Sequence, residues 1–327
     1  MLFDETLERA RARFAGRRVY VAGHKGMVGA ALVRALQPLN AALILRSSLE
    51  LDLRNQAATN EFFQTERPEI VLFAAGKVGG IQANASAPAE FLYDNLVMAA
   101  NAIHAAYEVG CARFVFLGST CIYPRMAPQP MAESALLSGE LEPTNEGYAL
   151  AKIAGLKLCQ LYRRQFGVLF HSVMPTNMYG PGDNYHPDHS HALASLLRRF
   201  HEAKEEGKKT VTIWGTGSPL REFLHVEDLA SAVLHVAALD DPPDWVNVGS
   251  GEEVSILELA RMIAEVVGFT GQISTDPTQP DGAPRKLTDF SLLRSTGWQP
   301  KIALPEGLKQ TYRTFLHECD YGLMRSR

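Results

Sequence analysis

Cysteine, tryptophan and net charge are all scarce in this sequence. Its 327 residues include four cysteines, three tryptophans and a formal charge of only −4, from 32 Lys+Arg against 36 Asp+Glu. Cys111, Cys121, Cys159 and Cys319 form no CxxC pair and no regular framework, which argues against a disulfide scaffold and predicts a reducing, cytoplasmic setting. Without a cationic surplus, the chain lacks the footprint of a general nucleic-acid binder. No apolar run approaches the ~20 residues of a membrane span. Residues 1–14 carry Asp4, Glu5 and Glu8 and no apolar targeting core, so no signal or transit peptide is expected there. Repeats and low-complexity tracts are missing too. What is plentiful is apolar surface: 46% of residues are hydrophobic, enough for a sizeable core. The length is about twice the ~150 residues of one domain, so one large or two coupled domains are expected.

Strand and helix signals alternate through the first half. Short apolar runs at 17–22, 43–45, 70–75, 114–118 and 169–174 are separated by helical patterns at 27–36, 55–66, 88–109 and 147–166. Continuous rather than alternating apolar runs suit strands covered on both faces, and helix-length connections imply right-handed βαβ units. The expected fold is α/β, a doubly wound parallel Rossmann-type sheet. Ahead of it, Leu2, Phe3, Leu7, Ala10 and Phe14 predict a short amphipathic helix. After Pro175 the texture turns to Gly, Pro, His and Asn. A helix at 192–206, a strand at 211–214, a strand end running into a helix over 223–238, a core strand at 246–248 and a helix at 255–267 follow. Asp289 suits a helix N-cap and Gly297 a C′ position. The predicted organisation is an extension at 1–16, a nucleotide-binding domain at 17–178 with a return segment near 223–250, and a smaller interleaved substrate domain at 179–222 and 251–327.

Gly23-His24-Lys25-Gly26-Met27-Val28-Gly29 joins the first strand to the first helix. Glycines there permit a tight turn, close approach of a pyrophosphate and close helix–strand packing, while the helix N-terminus supplies free N–H groups. The second strand ends in Arg46, Ser47 and Ser48, with no acid directly at its end. A basic residue at that point accommodates a ribose 2′-phosphate, so NADP(H) is favoured, with Lys25 as a second cation. Asp52 and Leu53 are expected near the adenine, and Ala74-Ala75 at the end of the third strand lines the same crevice.

Tyr148 and Lys152 sit at i and i+4, neighbours on one helix face. An ammonium beside a phenol favours phenolate, which predicts a lowered tyrosine pKa and a usable proton donor and acceptor. Ser119 lies at the end of the fourth strand, where ligands of parallel sheets gather. Glycine turn, strand-end serine and YxxxK together make the chain resemble the extended short-chain dehydrogenase/reductases.

Further motifs narrow the resemblance. Lys77-Val78-Gly79-Gly80-Ile81, Ser119-Thr120-Cys121-Ile122-Tyr123-Pro124, Leu141-Glu142-Pro143-Thr144-Asn145, Met174-Pro175-Thr176-Asn177, Asn184-Tyr185-His186-Pro187, Arg221-Glu222-Phe223-Leu224-His225 and Pro280-Asp281-Gly282-Ala283-Pro284-Arg285-Lys286 resemble the GDP-L-fucose synthase family, over most of the chain. The resemblance implies a homodimeric, NADPH-dependent 3,5-epimerase/4-reductase acting on GDP-4-keto-6-deoxy-D-mannose. It implies Cys121 as the base at C3 and C5 and His191 as the acid on the opposite face. Ser119 and Tyr148 would hold the C4 oxygen, and Lys152 the nicotinamide ribose. It adds cofactor contacts at Leu117, Gly118, Pro175, Thr176, Asn177, Met178 and His191. Substrate contacts would fall at Lys77, Val78, Arg199, Trp214, Arg221, Asp281 and Lys286.

Physical chemistry agrees with several of these roles. A ketone at C4 acidifies C3 and C5, a thiolate can take the proton, and an imidazole near pKa 6.5 can return one. Two arginines suit a sugar diphosphate. Trp214 offers a face for stacking, or else packs in the core, and the lesser alternative for Cys121 is a small buried core residue. His186, His189 and His191 lack the spacing of a metal centre, so no metal is expected. The chain departs from the family at Lys25, where arginine is usual, and at Ser48, where another arginine often stands. Two other readings stay open: a related GDP-4-keto sugar of the colitose or deoxyheptose type, and a non-catalytic, cofactor-bound sensor or scaffold.

Overall fold

The computed structural model describes residues 2–187, 189–279 and 281–325. Met1 of the expected first helix, Pro280 of the 280–286 motif, Asp188 and residues 326–327 lie outside the described residues, as do the side chains of residues 2–6 and 81.

The first half runs α1 (Leu2–Phe14), β1 (Arg18–Ala22), α2 (Met27–Leu36), β2 (Ala42–Ile44), α3 (Gln56–Glu66), β3 (Ile70–Phe73), α4 (Ile81–Ser86), α5 (Pro88–Glu108), β4 (Arg113–Leu117), α6 (Glu146–Phe166) and β5 (Leu169–Pro175). The second half runs β6 (Asn177–Tyr179), α7 (Ala192–Glu205), β7 (Thr210–Trp214), β8 (Leu220–His225), α8 (Val226–Ala238), β9 (Trp245–Val248), β10 (Glu253–Ser255), α9 (Ile256–Val267), β11 (Gln272–Asp276), β12 (Arg285–Lys286), α10 (Ser291–Ser295) and α11 (Leu304–Asp320).

Six strands form one parallel sheet in the order β2-β1-β3-β4-β5-β9. Successive strand residues point to opposite faces, and the two resulting cores differ. Val19, Val21, Leu72, Val115 and Val173 pack with α2 and α8 on one side. Tyr20, Phe73, Phe114, Phe116 and Phe170 pack with α3, α5 and α6 on the other. Strand order reverses beside β1, so a crevice opens at the C-terminal ends of β1 and β3, where such sheets bind ligands. The first helix caps the first core through Ala10 and Phe14 and ties Arg13 to Asp240 at 2.7 Å.

A third apolar cluster joins α7, α9 and α11 with β7 through Leu197, Phe200, Ile213, Ile263, Leu308 and Phe315. The helix α9 opens with a capping box of Ser255 and Glu258 and closes on Gly268 at φ +79°. Sequence patterning missed α4, α11, β6 and β10–β12. These strands have five residues or fewer, and the buried stripe of α11 (Gly307, Leu308, Thr311, Tyr312, Phe315) is diluted by Gly and Thr. One cap differs from expectation. Phe290, not Asp289, is the N-cap of α10, because Asp289 Oδ1 accepts from Ser291 N–H (2.9 Å) from one position earlier; Gly297 does take the C′ position, at φ +96°. Among the described residues, no helix is long and apolar enough to cross a membrane.

Candidate active site

The glycine turn follows β1 and starts α2. Gly23 has φ +80°, and a Cβ there would meet Ala74 O and Ala75 N at 2.8 Å, so β1 and β3 approach as closely as backbone allows. A Cβ on Gly29 would sit 2.2 Å from Gly23 O, which explains the third glycine as a helix-packing contact. Gly26 caps α2 without a side-chain bond, the first turn of that helix has no acid, and the buried His24 Nδ1 lacks a partner. An uncompensated positive helix end and an orphaned imidazole nitrogen fit a dinucleotide pyrophosphate.

At the second strand the picture is more mixed. Arg46 donates to Leu45 O (2.8 Å) and is turned onto Glu66. Glu50, unnoticed in the sequence, accepts from Ser47 N–H (2.8 Å) and Ser47 Oγ (2.6 Å) and is within electrostatic reach of Arg46 and Lys25. Those bonds hold its carboxyl below the usual carboxylate range. Such an acid is invisible to a reading of the strand end alone, because a turn folds it back. Asp52 is paired with Arg54 at 2.9 Å, and Leu53 is buried with its carbonyl accepting from Asn101.

Around the chemistry the structure brings distant residues together. Ser119 lies two residues beyond β4 and its Oγ accepts from Cys121 N–H (3.3 Å), at the start of a short turn in which Cys121 is 9% exposed. Lys152, 5% exposed on α6, donates to Leu117 O (2.8 Å) and lies 5.5 Å from the Tyr148 ring centroid. Burial pushes its pKa down to about 8. A Cβ on Gly118 would meet Met174 Sδ at 2.3 Å, so a side chain there would displace the buried Met174 side chain.

Tyr148 corrects the sequence expectation. Its pKa is raised, first by burial and then by the Cys121 charge, so the neighbouring ammonium does not win. Desolvation of the phenolate outweighs a cation whose own charge is being stripped of water. Tyr148 is therefore held as a protonated donor. Burial likewise raises the Cys121 thiol, opposed by the Ser119 hydroxyl and then by Lys286 and Lys152. Desolvation holds the imidazole of His191 below its usual pKa, although the ring remains accessible.

His191 is the N-cap of α7, and the segment before it abuts the 77–81 motif. Gly80 N donates to His189 O (3.0 Å), and a Cβ on Gly80 would meet Ser190 O at 2.8 Å. The end of β3 is held in turn by Asn95, another residue the sequence did not single out. Asn95 Oδ1 accepts from Lys77 N–H (2.9 Å) and its Nδ2 donates to Lys77 O (3.0 Å). Lys77 is turned onto Glu90 and Asp94, while Val78 is exposed. His186 and His189 stack on each other, 4.3 Å apart.

Of the remaining expected substrate residues, Trp214, Arg221 and Lys286 lie on β7, β8 and β12, Arg199 on α7 and Asp281 in the loop between β11 and β12. Trp214 is 63% exposed, which removes the core alternative. Arg199 on α7 donates to Thr212 O, and Arg221 donates to Leu220 O (2.7 Å). Desolvation lowers the pKa of both arginines. Lys286 pairs in register with Arg221. Asp281 is already engaged, accepting from Thr216 N–H (2.9 Å) and Thr216 Oγ1 (2.7 Å), so it shapes the loop below Trp214. In the return loop, Thr176 Oγ1 and Asn177 Nδ2 both donate to Glu222 O (3.4 and 2.8 Å), with Pro175 buried and Met178 half-buried beside them.

Lys286 reaches Cys121 because its strand is clamped to the loop after β4. Met131 N donates to Leu287 O (2.8 Å), Leu287 N to Gln129 Oε1 (2.8 Å), and Tyr123 Oη to Asn247 Oδ1 (2.6 Å). Replacing Lys286 by methionine removes a cation that favours thiolate, so the Cys121 pKa rises further. Alkylation of Cys121 by iodoacetamide, followed by mass spectrometry across pH, is expected to shift to higher pH in Lys286→Met and to return toward the wild-type profile in Lys286→Arg. An unshifted profile in Lys286→Met contradicts this electrostatic coupling.

A parallel sheet with a glycine turn at its switch point and Ser119, Tyr148 and Lys152 at one strand end defines a short-chain dehydrogenase/reductase. The model of the NAD dependent epimerase/dehydratase family matches residues 19–249, and the chain belongs to that family. It is 55% identical over 300 residues to GDP-L-fucose synthase 1 of Arabidopsis thaliana, covering 91% of this chain and 93% of that one. It is 50% identical over 313 residues to GDP-L-fucose synthase of Escherichia coli (strain K12), covering 93% and 98%. A solved GDP-L-fucose synthetase from Naegleria fowleri bound to NADP superposes with a TM-score of 0.87 at 27% identity, covering 95% and 97%. Within the larger family, the chain belongs to the GDP-L-fucose synthases.

Proposed function

We propose that the chain converts GDP-4-keto-6-deoxy-D-mannose to GDP-L-fucose by epimerisation at C3 and C5 and reduction at C4, using NADPH. The observation that carries this reading is the meeting of Cys121 with Ser119, Tyr148, Lys152 and Lys286 at the end of β4. A reductase alone needs the serine, tyrosine and lysine, but it has no use for a thiol under two cations.

Ser119 and Tyr148 hold the C4 oxygen, so the charge developing there on enolisation meets preorganised donors. Cys121 as thiolate takes the proton from C3 in one round and from C5 in another, and between rounds the thiol releases its proton to solvent while His191 takes one up. His191 returns a proton to the opposite face of each carbon, which inverts it. Lys152 holds the nicotinamide ribose and orients the end of α6. When bound, NADPH supplies hydride to C4. Tyr148 then gives its proton to the C4 oxygen. Both halves of the reaction thus use one oxygen-binding site.

The glycine turn, Ala74, Ala75, Leu117, Gly118 and the 175–178 loop are assigned to the dinucleotide, with Lys25 and Arg46 toward its 2′-phosphate. Arg199, Trp214, Arg221 and Lys286 are assigned to the GDP portion. Their placement on α7, β7, β8 and β12, in or next to the separate apolar cluster of α7, α9 and α11, supports a division into a dinucleotide domain (17–178 with 223–250) and a sugar-nucleotide domain (179–222 and 251–327). A homodimer and a cytoplasmic setting belong to the same reading.

Incubation with NADPH and the keto-sugar nucleotide, followed by NMR of the product, tests the whole proposal. The expected result is consumption of NADPH and a GDP sugar inverted at C3 and C5 and reduced at C4. Reduction without inversion, or no consumption at any enzyme concentration, overturns it. Rapid turnover only with a different GDP-4-keto sugar would move the substrate to a colitose or heptose pathway type.

A further inference from the structure

Beyond α11 the chain doubles back toward the glycine turn. Leu323 N donates to Glu318 O (2.8 Å), Cys319 Sγ contacts Met324 Sδ at 3.9 Å, and Tyr185 N donates to Arg325 O (2.8 Å). These contacts fix the backbone of residues 323–325 against the 180–185 loop. The loop is itself tied to α11, since Gly182 N donates to Glu318 Oε1 (3.1 Å), and a Cβ on Gly182 would lie 3.9 Å from the Cα of Met27, the first residue of α2. The guanidinium of Arg325 is thereby delivered to the mouth of the turn: a Cβ on Gly26 would sit 3.7 Å from Arg325 Nη1.

We propose that Arg325 is a ligand of the cofactor's pyrophosphate, carried to the start of α2 by a strap formed from residues 323–325. The proposal rests on the dinucleotide reading of that turn. A buried carboxyl also lies within electrostatic reach of Arg325: Asp183 is 3% exposed, and its Oδ2 is buried with no partner. The nearby Glu318 Oε2 is also buried and unpartnered. Burial pushes the pKa of the Asp183 carboxyl up to about 7, so near neutral pH it carries only part of its negative charge and leaves the guanidinium, 3.7 Å from a Cβ on Gly26, positive toward the turn. Arginine suits that position because its planar fork can face a carboxylate on one edge and a phosphate on the other. Sequence motifs give no hint of it, since the glycine turn and residue 325 lie at opposite ends of the chain.

The test is equilibrium binding of NADPH and of NADH to the full chain at low salt, without sugar nucleotide, followed by quenching of protein fluorescence. Arg325→Ala is expected to weaken both dinucleotides by a similar factor, about tenfold for one charge-assisted hydrogen bond, and Arg325→Lys by less. Because Arg325→Ala strands the buried Asp183, the double variant Arg325→Ala/Asp183→Asn is measured beside Asp183→Asn, and the same ratio is expected. Unchanged affinity in both comparisons overturns the proposal. Weakening confined to NADPH places the guanidinium at the 2′-phosphate and overturns the pyrophosphate contact. Tighter binding in Arg325→Ala makes the strap a plug and overturns it equally. If the unaltered protein binds neither dinucleotide, the cofactor reading itself fails, and the proposal with it.

Discussion

Replacing Cys121 by serine is expected to slow the wash-in of solvent deuterium at C3 and C5 of the keto-sugar nucleotide by about 10²–10⁴-fold, the usual contribution of a positioned base. Serine preserves the volume and the amide that Ser119 holds, so the fold and dinucleotide affinity should not change. What it removes is acidity. The thiol is already disfavoured as thiolate by burial and is favoured back by Ser119, Lys286 and Lys152; an alcohol in the same place starts from a far higher pKa, which the same neighbours cannot bring into a working range. Exchange measured by NMR in deuterated water with the oxidised cofactor present separates this step from reduction. Exchange at the wild-type rate in Cys121→Ser removes Cys121 as the base and leaves the inversion chemistry without an assigned group.

The second large effect belongs to Tyr148. Tyr148→Phe deletes one hydroxyl from a site where burial keeps it protonated. The C4 alkoxide formed on reduction then has no proton donor from α6, and kcat for NADPH oxidation is expected to fall about 10²–10⁴-fold. Affinity for GDP should stay close to wild type, since Arg199, Arg221 and Lys286 lie on other elements. Deuterium exchange should fall less than reduction, because Ser119 still offers a donor to the enolate. Near-normal NADPH oxidation in Tyr148→Phe would reassign the proton to another group. A profile against pH adds a check. Lys152, with its pKa pulled down to about 8, is charged below that value and loses its charge above it. A rate that depends on the ammonium therefore falls as pH rises through about 8.

Several parts of this site were legible from residue order because their geometry is local. The glycine turn is read from spacing, since the tight turn and the helix start lie within seven residues. Tyr148 and Lys152 share a helix face by virtue of the 3.6-residue repeat. Trp214 was ambiguous, because a strand-end tryptophan reads the same whether it faces solvent or core, and only its exposure decides.

The alternation of apolar runs with helix-length segments, by itself, determined the parallel sheet and placed Ser119 at a strand end: backbone hydrogen bonding and the burial of both sheet faces allow little else. It also placed the phosphate-binding turn, where short-range sterics demand glycine. Tertiary structure alone decided the electrostatics. Whether Tyr148 is an acid or a phenolate depends on how much water its neighbours exclude, and burial reversed the effect expected from Lys152. Glu50, Lys286 and Arg325 acquire their surroundings from chain folding back over large separations, and Coulomb forces act on distance in space, to which position along the chain is no guide.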